Sequence, residues 1–167
     1  MKPVYLYGFM GCGKSYVGRR LSRETGAFCV DLDEFIAGRE GMEIAEIFAK
    51  HGKEYFKNLE LSALKEVKAD VISLGGGSLL ENPEAAAYAK ENAVVIFIDT
   101  DFDTCYERIK SNGAEKRPNA AGKTKEKLCE LYKSRLGHYK KVADYTAEGE
   151  DICSFITQKL RLWQEQT

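Results

Sequence analysis

Eight consecutive residues, Gly8-Phe9-Met10-Gly11-Cys12-Gly13-Lys14-Ser15, match the phosphate-loop pattern GxxxxGK[ST] in full. This spacing serves the grip on a nucleotide polyphosphate. Glycines at 8, 11 and 13 let the chain wrap tightly enough for its backbone N–H groups to point inward. A helix opening at Lys14 adds a field that favours anions. Lys14 then reaches the outer phosphates of ATP, and the Ser15 hydroxyl is a ligand for Mg²⁺. Tyr16 follows directly in the first helical turn. Cys12 reads as a small filler in normal catalysis, yet its position beside Lys14 and the helix start favours thiolate. The same placement predicts that alkylation or oxidation at Cys12 blocks ATP binding.

Further groups have the types and positions to complete a transfer site. Asp31 and Asp33 end the second apolar run, where ligands of open α/β sheets bind beyond the carboxyl ends of the strands. One carboxylate can hold Mg²⁺ through water and the other can bond a hydroxyl of an acceptor; as a helix start the pair would serve only as caps. Gly75, Gly76 and Gly77 follow Val71 to Leu74, and three positions without side chains let a substrate lie against backbone. No acidic residue precedes those glycines, so the carboxylate that usually supports magnesium from this strand must come from elsewhere; Asp31 is the candidate. Arg117 lies in a polar stretch and is suited to closing over phosphates, with Lys116 as its competitor. Arg135 lies in a helical pattern and can pair with an anionic substrate. His51 and His138 have no supporting nucleophile or metal set and read as packing or surface residues. Tyr132 and Tyr139 likewise read as packing.

The elements that must position these groups follow from periodicity. Short β-prone runs at Val4–Tyr7, Phe28–Val30, Val71–Leu74, Val94–Ile98 and Ala143–Thr146 alternate with helical patterns. The helices open at Lys14 and Phe35, continue through Ile44–Phe48 and Glu54–Val67, and resume after Pro83. They recur over Asp103–Lys110, Lys125–Tyr139 and Ile152–Trp163. That alternation predicts a mainly parallel sheet covered on both faces. Residues 111–124, SNGAEKRPNAAGKT, have no period and almost no large apolar side chain, which predicts either a lid or disorder. No repeat or linker divides the chain, so residues 1–167 form one domain.

Bulk composition narrows the function classes. With 25 Lys and Arg against 26 Asp and Glu, the net charge of -1 provides no general field for a polyanion, which argues against nucleic acid. No stretch approaches the ~18–20 apolar residues of a membrane span, and the N-terminus does not read as a signal peptide. Five scattered cysteines without a CxxC fit a reduced, cytoplasmic protein, and two histidines supply no zinc cluster.

Taken together, the segments GFMGCGKSYVGRRLS, DLDEFI, GMEIAEIFAKHGKEYFKNLE, LGGGS, KRP and YKSRLGHY resemble the shikimate kinase family over nearly the whole chain. The resemblance implies a three-layer P-loop kinase fold with a five-stranded parallel sheet in order 2-3-1-4-5 and a mobile lid at 111–124. It implies a monomer that transfers the γ-phosphate of ATP to the 3-hydroxyl of shikimate, in the route to the aromatic amino acids. By position it gives Lys14 and Ser15 to phosphate and magnesium, Asp31 to the magnesium side and Asp33 to the shikimate hydroxyls. Gly75 to Gly77 become the wall of the substrate site, Arg117 the lid arginine and Arg135 the carboxylate-binding arginine. Gly11, Cys12, Gly13 and Tyr16 fall on the nucleotide, together with Arg108 or Lys110.

Several positions depart from the family pattern. Where it reads GExxFRxxE, this chain has Gly52-Lys53-Glu54-Tyr55-Phe56-Lys57-Asn58-Leu59-Glu60. Lys57 keeps the charge of the carboxylate-gripping arginine but loses its planar fork, which predicts weaker shikimate binding or a different acceptor. Tyr16 replaces a small threonine and is expected to crowd the region after the loop. RPNA at 117–120 replaces RPLL. Two alternatives follow, a kinase for another polyhydroxy acid such as gluconate and a non-catalytic nucleotide-binding regulator.

Overall fold

The computed structural model describes residues 2–113, 119–149 and 151–165. The chain runs β1 (Val4–Tyr7), α1 (Lys14–Thr25), β2 (Cys29–Asp31), α2 (Leu32–Glu40), α3 (Ile44–Glu66) and β3 (Val71–Ser73). It continues through α4 (Pro83–Asn92), β4 (Val94–Asp99), α5 (Phe102–Ser111), α6 (Lys125–Val142), β5 (Tyr145–Glu148) and α7 (Ile152–Glu165). The sheet has five strands in the expected order β2-β3-β1-β4-β5, and every pairing is parallel.

β1 sits at the centre, with Val4 opposite both Val71 and Val94. All four of its residues are buried. Side chains alternate between the faces of a strand, so this burial requires cover on both sides, which the helices supply. Its continuous apolar run is the pattern such a strand needs. Tyr5 and Tyr7 fill this core with large rings, and Tyr139 from α6 packs edge-on to Tyr7 at 4.9 Å between centroids.

At three places element boundaries differ from the sequence expectation where an aspartate bonds the backbone. The second strand is Cys29–Asp31, not Phe28–Val30. The Asp70 carboxylate accepts the Phe28 N–H at 2.8 Å, and the Phe28 ring is left exposed. Asp33 stands in the first turn of α2, not at the strand end. Asp31 accepts N–H bonds from Asp33 and Glu34 at 3.0 and 3.2 Å and caps a helix that opens at Leu32, three residues before the expected Phe35. The last strand is Tyr145–Glu148, not Ala143–Thr146. Ala143 N–H still donates to Tyr139 at the end of α6, and Asp144 exchanges bonds with Val95 before the ladder begins. The two helical patterns on either side of Gly52 are arms of α3, broken there by φ 81°, ψ 178°, which glycine adopts readily.

Candidate active site

The phosphate loop leaves β1 and closes against α5. Gly11 has φ +77°, and a Cβ there would lie 2.6 Å from the Cys105 carbonyl oxygen and 3.1 Å from Ile109. Both the dihedral and the close approach require glycine. Gly11→Ala is expected to cost about 2–4 kcal/mol of stability by urea unfolding, since the loop or α5 backbone must move.

Lys14 is fixed at the centre of the loop. Its Nζ donates to the carbonyl oxygens of Gly8 at 2.7 Å and Phe9 at 3.1 Å, and lies 3.6 Å from Cys12 Sγ. The Cys12 thiol is buried, so the alkylation expected from the sequence meets a shielded sulfur, and the backbone N–H of Cys12 is spent on Phe9 at 3.1 Å. Ser15 Oγ donates to Asp31 Oδ2 at 2.7 Å, while Asp31 Oδ1 caps α2. One carboxylate thus ties the loop to the acceptor side.

Two cavities of about 320 Å³ meet at this point. One is lined by Gly11, Gly13, Tyr16, Arg19 and Arg108, and the other by Asp31, Asp33, Lys57, Glu60, Gly75 to Gly77 and Arg135; Lys14 and Ser15 line both. A donor phosphate and an acceptor would therefore meet at Lys14 and Ser15. Of the two basic candidates on the nucleotide side, Arg108 is the lining residue. It donates to the Gly11 carbonyl at 3.2 Å, whereas Lys110 pairs with Glu107. Tyr16 is 61% exposed at the cavity rim, so its ring does not crowd the loop. Arg117 lies outside the described residues; from the same stretch Asn119 lines the acceptor cavity and Ala120 is buried.

The three glycines line the second cavity, and protein groups already press on them. A Cβ at Gly75 would meet Ser78 Oγ at 2.9 Å and Asp33 Oδ1 at 3.5 Å. At Gly76 it would lie 3.2 Å from the Gly8 carbonyl oxygen, and at Gly77 3.2 Å from Arg135 Nη2. The run brings the loop, Asp33 and Arg135 together by having no side chains. Tyr139 Oη donates to the Gly76 carbonyl at 2.7 Å and ties α6 to this wall.

Arg135 is 2% exposed. Its Nη2 donates to Glu81 Oε1 at 3.3 Å, and its Nε and Nη1 are buried without a protein partner. Buried N–H groups are rarely left unmade, and here they mark a place for an anionic ligand. Lys57 lines the same cavity, with its Nζ turned to Glu54 Oε1 at 3.2 Å. His138 lies 3.3 Å from Tyr7 Oη and is a partly buried structural residue, whereas His51 stacks on Tyr55 at the surface.

The sequence reading gave no role to Glu60, Ser73, Ser78 or Glu81. Ser73 Oγ donates to the Lys14 carbonyl at 3.3 Å and joins β3 to the start of α1. Glu60 was visible only as the last letter of a motif. It is 5% exposed and accepts a bond from Ser78 Oγ. Burial, with Asp33 and Glu81 nearby, pushes its carboxyl up to about 7 from an ordinary 4.5, against the pull of Ser78 and Lys57. Between those values the folded chain holds the proton and the unfolded chain has lost it. Stability is therefore greatest below the lower value and falls as the pH rises toward 7, by about 3 kcal/mol. Glu60→Gln is expected to remove this slope, so that urea unfolding finds the variant about 3 kcal/mol more stable relative to wild type at pH 8 than at pH 4.5.

A phosphate loop on the central parallel strand, joined through one lysine and one serine to a cavity with a buried, half-satisfied arginine, defines a P-loop kinase of small molecules. Comparison with known proteins places it more closely. The shikimate kinase family model matches residues 10–161, and the chain belongs to that family. It is 41% identical over 143 residues to a shikimate kinase of Staphylococcus aureus strain JH9, covering 84% of this chain and 80% of that protein. The shikimate kinase of Aquifex aeolicus is 37% identical, with TM-score 0.75 over 98% of this chain and 96% of the other. That of Acinetobacter baumannii, solved in complex with shikimate, is 28% identical, with TM-score 0.83 over 100% of this chain and 95% of the other.

Proposed function

We propose that this protein transfers the γ-phosphate of ATP to the 3-hydroxyl of shikimate, giving shikimate 3-phosphate and ADP. The observation that carries this reading is the meeting of two cavities at Lys14 and Ser15, one walled by the phosphate loop and the other by Asp33 and Arg135. The unpartnered Nε and Nη1 of Arg135 suit a carboxylate. Membership of the family and the shikimate-bound relative support the choice of acid.

ATP lies along the loop from Gly8 to Ser15, with Arg108 on its nucleoside side. Arg135 holds the acceptor carboxylate, and Asp33 orients the hydroxyl. The bond from the γ-phosphorus to the β,γ-bridging oxygen breaks as that from phosphorus to the acceptor oxygen forms, and Asp33 takes the hydroxyl proton late. Lys14 neutralises charge on the transferring group from a position its contacts have already fixed. Arg117 takes the lid role by resemblance alone. The residues fit a magnesium ion, because Mg²⁺ keeps most of its waters and needs few protein oxygens. Ser15 would hold it directly and Asp31 through water, their oxygens being 2.7 Å apart. When bound, Mg²⁺ supplies charge neutralisation to the outer phosphates. Five free cysteines accord with a reducing, cytoplasmic setting.

ADP release from ATP·Mg²⁺ should be measured with shikimate, with gluconate and with nucleoside monophosphates. Release that depends on shikimate alone is the expected result. A response to gluconate instead would assign a different acid, and ATP binding without any acceptor response would identify a nucleotide-binding regulator.

A further inference from the structure

The acceptor cavity holds a cation that neither the fold nor the phosphate loop requires. Lys53 stands just after the break at Gly52, in the first turn of the second arm of α3. A positive side chain there faces the positive end of the helix dipole, which is locally unfavourable. Its Nζ lies 3.3 Å from Glu81 Oε2, while the other oxygen of the same carboxylate accepts from Arg135 Nη2 at 3.3 Å. Glu81 is held in turn by its N–H bond to the Gly77 carbonyl at 2.9 Å. Lys57 is directed elsewhere, to Glu54 on the outer rim.

We infer that Lys53, bridged to Arg135 by Glu81, is the second cation of the acceptor-carboxylate site in this chain. The argument is one of charge balance. Glu81 and Arg135 alone are a neutral pair, and a neutral pair offers an incoming carboxylate hydrogen bonds without net attraction. With Lys53 the cluster carries one positive charge, and a bound carboxylate brings it to zero. Glu81 fixes both cations, so their charge is set in place before the ligand arrives. Lys53 acts through Glu81 and Arg135 and is a positioning residue. Lys57 lines the same cavity, but its ammonium is already paired with Glu54. Asp33 and Glu60 line the same cavity and make the added positive charge more consequential.

This inference rests on the shikimate reading. Steady-state kinetics of Lys53→Met should show KM for shikimate raised about fivefold, with kcat and KM for ATP unchanged, as suits a half-exposed ion pair. Lys53→Arg should stay close to wild type. Adding Glu81→Gln to Lys53→Met restores the single positive charge and should return KM to near the wild-type value. Lys50→Met, on the same helix and outside the cavity, serves as the control. A wild-type KM in Lys53→Met, or a double variant no better than Lys53→Met, would overturn the inference while the function stands. A wild-type enzyme that ignores shikimate overturns the proposed function and this inference with it.

Discussion

Lys14→Ala is expected to lower kcat about a thousandfold while the protein keeps its fold. The reason is preorganisation. In the folded protein the ammonium is already held by two loop carbonyl oxygens, at 2.7 and 3.1 Å, so little reorganisation is needed when charge shifts toward the leaving oxygen. Alanine removes that charge from the one place shared by the two cavities. Water entering the gap screens but does not aim, and a randomly oriented dipole recovers only part of the interaction. Lys14→Arg should not rescue the rate, because a longer planar fork cannot occupy the same two-carbonyl seat. Circular dichroism unchanged from wild type, beside turnover reduced in both variants, is the expected pair of results. Normal turnover in Lys14→Ala would remove Lys14 from the mechanism.

The phosphate loop was legible because its working groups are consecutive. Gly8 to Ser15 carry their own geometry, and a strand before and a helix after are enough to place them. The sheet order was legible through resemblance, with the central apolar runs marking the strands. The acceptor site was legible only as separate pieces. Asp33, the glycine run and Arg135 each occupy a predictable position, but their mutual contacts depend on three distant elements closing together. No local pattern announces that Glu81 will bridge Lys53 to Arg135, or that Glu60 will be buried under Ser78. The glycine run shows the same limit. Its lack of side chains was read as room for substrate, whereas Asp33, the loop and Arg135 occupy much of the space a Cβ would need. The shifted starts of β2, α2 and β5 share one cause. Asp31, Asp70 and Asp144 bond backbone N–H groups and reset where the ladder or helix begins, and such caps act across the chain as readily as along it.

Arg135→Met is expected to separate stability from binding. The arginine is almost wholly buried, yet only one of its nitrogens has a protein acceptor. Each buried N–H left unmade costs about 1–3 kcal/mol in the free enzyme. Methionine fills comparable volume without that cost, and Glu81 keeps Lys53 as a partner after the change. The variant should therefore unfold in urea at the same concentration as wild type or a higher one. Binding should move the other way. The acceptor carboxylate loses both free N–H groups, and KM for shikimate should rise about a hundredfold, the usual scale for removing one member of a buried charged pair. KM for ATP should stay within about twofold, since Arg135 does not line the nucleotide cavity. Thermal unfolding joins the two halves of the prediction. Shikimate should raise the Tm of wild type and leave that of Arg135→Met unmoved, because a ligand stabilises only the state that binds it. A variant that is less stable but binds normally would make Arg135 a structural residue and its unpartnered nitrogens incidental. A variant that is more stable but insensitive to shikimate would show that those two buried nitrogens are kept open for the substrate at the expense of the free protein.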